Sequence, residues 1–235
     1  MIITASFRDD ALEPTDFRAI LVRIEPIVEV LHEKNAELGQ WYMLTEKQDT
    51  SLLYRAYEDG QPGRAILAVL GEKYKEAGTP ASITLWDGNS NQKQGVILSV
   101  SMAFKGHSHT LEIRLYSPTE LGNAMSVADV VSVIVRTLQP AVVEVAPRSY
   151  VLKKVFLERA GAGWMLYLPR ILSTKEVPEA QVLVPVKQEN QQLGTIVVTL
   201  KDEIFNVKEP DHVSAANRLE VRLVDQDLLP LLTSL

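Results

Sequence analysis

The chain has 235 residues, 46% of them hydrophobic and 23% charged, with a formal net charge of −6. That is enough apolar material for a substantial core, and the intermixed charges exclude wholesale disorder. The acidic balance argues against a free-standing nucleic-acid binder, which needs clustered Lys and Arg. The lack of cysteine excludes disulfides, thiolate nucleophiles, Fe–S clusters and Cys-type zinc sites.

The opening stretch, "MIITASFRDDALEP", turns acidic early and lacks the basic and apolar regions of a signal peptide. No apolar run approaches the ~18–20 residues a bilayer crossing requires. The expectation is a cytoplasmic protein that binds neither membrane nor nucleic acid. "IITASF" alternates as a first strand. In "PTDFRAILVRIEPIVEVLHEKNAELG", Phe17, Ile20, Leu21, Ile24, Ile27, Val28 and Leu31 recur at helical spacing. Pro26 is expected to kink or split that helix, and Gly39 to end it. "WYMLT" reads as a short strand. "QPGRAILAVLGEKYKEAG" reads as a helix with Pro62 in its first turn and Gly78 at its end. "SITLW", "GVILSVSMAF" and "TLEIRLY" are strands with short polar connections, which predicts a meander. "SVADVVSVIVRTL" is a helix opened by a capping-box-like pair, Ser126 and Asp129.

Pro140 marks a seam. Beyond it "AVVEVA", "GWMLYL", "QVLVPV" and "GTIVVTL" read as strands, "SYVLKKVFL" as strand or helix, and "PDHVSAANRLEVRLVDQDLL" as a closing helix. Residues 1–140 form an α+β half and residues 141–235 a β-rich half ending in a helix, packed into one unit. Strands come in groups and do not alternate strictly with helices. The expected class is therefore α+β, with mixed or antiparallel sheets and helices packed on them.

No catalytic constellation emerges. His107 and His109 share a strand face, but a metal needs further ligands, and "KGHSHT" reads as a turn. His212 opens a helix, His32 lies among surface charges, and no G-x-S-x-G elbow exposes a nucleophile. "GAGW" at 161–164 lacks the third Gly of a dinucleotide fingerprint and runs into a strand, so no cofactor is expected. "PD" at 210–211 and "EVR" at 220–222 loosely imitate a nuclease acid pair, but their apolar spacing is helical. Paired acids are the commonest polar feature and read first as solvated surface. Beside aromatics they also suit a basic protein partner, with Trp or Tyr as anchor. On that reading the partner-binding candidates are Tyr57, Glu58, Asp59, Trp86, Asp87 and Asn89.

Two stretches echo each other: "NQKQGVILSV" at 91–100 and "NQQLGTIVVT" at 190–199. Both fit polar turns feeding apolar strands. Similar hairpin chemistry and a duplicated half are the alternatives.

The segments "QWYMLT", "SITLWDGN", "GWMLYLPR", "VPEAQVLVPV", "GTIVVTL" and "PDHVSAANRLEVRLVDQDLLP" occur in an order that resembles the immunity 52 family of bacterial toxin–immunity systems. The resemblance spans roughly residues 40–230 and rests on order and spacing, with no single diagnostic motif. It implies a non-enzymatic cytoplasmic protein that binds and blocks a cognate toxin, here a type VI secretion effector of a nuclease-like class. It supplies no catalytic residues. The alternatives are an enzyme with a site between the halves, or a secretion-system adaptor.

Overall fold

The computed structural model describes residues 1–75, 80–91 and 93–235. In chain order the elements are β1 (Ile2–Phe7), α1 (Phe17–Lys34), β2 (Tyr42–Met43), α2 (Gln48–Ser51), β3 (Tyr57–Glu58), β4 (Gln61–Pro62), α3 (Arg64–Lys73), β5 (Ala81–Trp86), β6 (Val96–Met102), β7 (His109–Leu115), α4 (Ala124–Leu138), β8 (Val142–Ala146), β9 (Met165–Leu168), β10 (Val182–Gln188), β11 (Gln191–Val198) and α5 (Pro210–Asp225). One antiparallel sheet carries nine strands in the order β10-β11-β9-β8-β1-β7-β6-β5-β2, and β3 and β4 form a separate hairpin. The fold is α+β, as expected. β1, from the start of the chain, sits between β7 and β8 and carries the sheet across the Pro140 seam.

Strand alternation gives the sheet two unlike faces. Ala5, Leu111, Val100 and Ile83 stand side by side across four strands and are fully buried. They share one core with the apolar stripes of α1 (Ile20, Ile24, Ile27, Leu31) and α4 (Val127, Val131, Ile134, Val135). The β-branched content of α4 fits this burial, since propensity alone disfavours it. The opposite face is covered only in part. Over β8 and β9 it lies beneath α5 and the 147–163 segment: Glu144, which points there, accepts a hydrogen bond from the Gly161 N–H. All four residues of β9 are buried because both of its faces are covered. Over β1, β7, β6 and β5 the same face carries Thr4, Glu112, Ser99 and Thr84 in one row and Ile2, Arg114, Ile97 and Trp86 in the next. All eight are only partly buried.

Several local expectations change. α1 runs unbroken through Pro26, so the helix does not split there. That residue is exposed, so the carbonyl freed at Val22, also exposed, faces solvent. The helix closes at Asn35, and Gly39 follows a short 3₁₀ turn, Ala36–Leu38, with an ordinary right-handed φ of −82°. Pro62 belongs to β4, and Gly63 occupies the cap position of α3. Gly78 lies outside the described residues. The α4 cap is Asn123, whose side chain accepts from the Ser126 N–H, while Asp129 pairs with Lys34 at 2.6 Å. "SYVLKKVFL" is neither strand nor α-helix: it enters a 3₁₀ turn, Arg148–Lys153, and then extends.

The two echoed stretches are not equivalent. Gly95 ends its loop at φ +94°, and its N–H donates to Glu120. Gly194 lies inside β11, where a Cβ would meet the Leu168 carbonyl oxygen at 2.3 Å. One glycine supplies a left-handed turn and the other a close approach of strands. Gln92, within the first stretch, lies outside the described residues.

Candidate partner interface

The six sequence-nominated residues fall into two groups. Trp86 ends β5 on the half-covered face, its indole N–H donating to the Asn89 carbonyl at 3.2 Å. It is tilted against Tyr42, with ring centroids 6.4 Å apart. Trp86, Asn89, Gln94, Ile97, Tyr116 and Leu44 line a groove of about 440 Å³. Tyr116 and Leu44 are both well exposed. Asp87 turns inward. Its carboxylate accepts from the N–H groups of Asn89 at 3.0 Å and Val96 at 2.9 Å, which fixes the loop between β5 and β6. Burial raises its pKa above the ordinary carboxylate value, against the lowering effect of those N–H groups.

Tyr57, Glu58 and Asp59 form the second group, on the β3–β4 hairpin. Asp59 and Gly60 occupy its turn with φ values of 51° and 70°, the pair of positive angles a two-residue type I′ turn needs. Glu58 accepts from the Arg64 N–H at the start of α3. The Tyr57 hydroxyl donates to the Leu21 carbonyl at 2.8 Å, so this ring packs on α1. Burial, reinforced by Glu25 and Glu29, pushes its phenol far above the usual tyrosine range. The groups meet at a rim, where His32, Gly39 and Gln40 border both the Tyr57 pocket and a depression reaching Asp87.

Residues that sequence reasoning passed over form a further cluster, on the 147–163 segment and α5. Val151, Leu152, Val155 and Leu157 are all exposed, Leu152 by 81% and Leu157 by 64%. They are displayed by a segment that buried hydrogen bonds tie down from below. The fully buried Glu220 of α5 accepts from the Tyr150 hydroxyl at 2.8 Å and from the backbone N–H groups of Val155 at 2.8 Å and Ala162 at 3.1 Å. Lys154 donates to the Arg159 carbonyl, and the Leu232 N–H donates to the Glu158 carbonyl at 2.8 Å. Burial, with Glu220 nearby, raises the Glu144 pKa despite the Gly161 N–H and Lys154. Beside this ridge, Lys153, Lys208, Arg218 and Arg222 line a groove of about 660 Å³ together with Glu179 and Asp225. The missed signal was "VLKKVFL" itself, an apolar stretch with neither helical nor strand period.

Among the described residues no group of His, Asp and Glu is arranged to hold a metal ion, and no helix is long and apolar enough to cross a membrane. The ring of His109 is buried, accepts from the Ala103 N–H and packs edge-on against Phe7.

Aromatic and apolar side chains displayed on a rigid scaffold are the features of protein-binding surfaces. The family model described as "Immunity protein 52" matches residues 16–232, and the chain belongs to that family. No curated protein matches the sequence. Among solved structures, the "Pseudomonas aeruginosa T6SS protein PA0821" is similar, with a TM-score of 0.51 at 12% identity, covering 93% of this chain and 75% of that one. At that identity the likeness is one of fold.

Proposed function

We propose that this chain is a non-enzymatic immunity protein that neutralises a cognate toxin by direct protein–protein binding. The toxin is a nuclease-like effector delivered by type VI secretion, and the encounter takes place in the cytoplasm. The family match over residues 16–232 carries this reading. The buried carboxylates fit it too: Glu220 spends both oxygens on this chain's own Tyr150, Val155 and Ala162, and Glu144 spends one on Gly161. Trp86 and Asn89, with Glu58 and Asp59 beyond the rim, are the proposed toxin-facing edge. Asp87 and Tyr57 support it from below.

Co-expression with the product of the neighbouring gene, the candidate toxin, tests the proposal. Growth should be rescued and a complex should elute on gel filtration. No rescue and no complex would end it.

A further inference from the structure

We infer that the ridge 151–157, with the groove on α5, is a docking surface for the toxin, and that the toxin presents to it an acidic, apolar-faced segment. The inference rests on the toxin-binding reading above and says where and with what chemistry the toxin is held.

Four exposed apolar side chains within seven residues are unusual on a segment so firmly pinned. A loose loop could fold its leucines inward. This one is fixed by Glu220 through Tyr150, Val155 and Ala162, and by the pairing of Glu158 with Leu232. The buried carboxylate thus holds an apolar surface open to solvent, which lowers the ordering cost when a partner covers it. Val221, on the exposed side of α5, extends the apolar area into the groove.

Charge identifies the occupant. The groove has four cations against two carboxylates, a local excess of opposite sign to the chain's net −6. Arg222 is tied to Glu179 at 2.8 Å, but Lys153 and Lys208 have no ion pair among the described residues. A second copy docked symmetrically on this groove would set the same cations against each other. Nucleic acid would leave the leucines unpaired. An acidic segment with an apolar face satisfies both halves of the surface.

The placement is also compatible with the Trp86 edge. Glu144, beneath the ridge segment, and Thr84, beside Trp86, lie in one cross-strand row of the same sheet face, through Thr4, Glu112 and Ser99. Four strand spacings separate β8 from β5, about 19 Å. A standard interface of about 800 Å² per partner is roughly 30 Å across, wider than the span from β8 to β5. A nuclease cleft must be basic. An acidic segment on the ridge therefore lies outside such a cleft, and the toxin is clamped there without its cleft being plugged at that point.

The test uses the 235-residue chain and the purified cognate toxin, with binding measured by titration and folding by thermal melting. Leu152→Glu combined with Leu157→Glu should weaken binding at least 100-fold with the melt unchanged, since both side chains point outward. Lys153→Glu combined with Lys208→Glu should weaken it at least tenfold. Wild-type affinity in both variants would overturn the inference while leaving toxin binding intact. So would a wild-type dimer that the Leu variant converts to monomer. If the wild type itself neither binds nor protects, the functional reading fails, a different result from either.

Discussion

Asp87 and Trp86 are adjacent in the chain but do different work. Asp87 accepts two backbone N–H groups at the foot of the β5–β6 loop, and a Cβ at Gly95 would lie 2.8 Å from its carboxylate. Removing that acceptor strands buried donors, so Asp87→Ala should cost about 1–3 kcal/mol of stability. Trp86→Ala should instead weaken toxin binding at least tenfold and keep a cooperative melt. Melting and titration of the two variants separate the roles. Loss of the folded state in Trp86→Ala would place that ring in the core and end its candidacy. Part of this was legible in advance: strand alternation in "SITLW" and "GVILSV" sets Trp86 on one face with Ile97 across from it. The same alternation continues Ala81, Ile83 and Leu85 inward to Asp87; its partners were not legible, because they depend on the φ of +94° at Gly95, which brings Val96 within reach. The Asp59-Gly60 pair is a hairpin-turn signal in the sequence, and the structure places it in the β3–β4 turn.

Among the elements, α5 and the 147–163 segment depend most on each other. The closing helix was readable from its apolar spacing and from Pro210 in its first turn. The segment was not, because its geometry is set by a carboxylate 65 residues away from Val155. No local period records such a contact. The strands of the meander were legible for the converse reason, their burial alternating residue by residue. Glu144 gives the α5 region a measurable pH signature. Its folded-state pKa is raised, mainly by burial, so ionisation is less favourable in the folded than in the unfolded chain. Below the ordinary value of 4.5 both states are protonated and the penalty is absent. It grows as pH rises through the folded-state pKa. Glu144→Gln keeps an acceptor for the Gly161 N–H and cannot ionise. Its stability relative to wild type should therefore increase from pH 4 to pH 7 in denaturant titrations. A relative stability that falls over that range would mean the carboxylate is favoured in the fold.

At the scale of the molecule, one sheet is buried on one face and half-covered on the other. That asymmetry allows a compact chain to display Trp86, Ile97 and Tyr116 on one side of an open face and a leucine ridge on the other. Charge divides along similar lines: the chain is acidic overall, whereas the α5 groove is locally basic. The two act over different ranges. If the toxin is nuclease-like, as proposed, it is basic because it must hold phosphates, and the net charge of −6 draws it before contact. The local groove acts only after docking, within the ~8 Å over which physiological salt leaves charges unscreened. The larger part of the affinity then resides in the apolar contacts, which salt does not weaken, and the smaller part in the groove cations. Raising salt tenfold should therefore slow association by about an order of magnitude and speed dissociation by less than that, through screening of the groove cations. Stopped-flow measurements on the wild-type pair would check this. An association rate indifferent to salt, with dissociation accelerating instead, would mean that ion pairs hold the complex together and that the ridge is not its anchor.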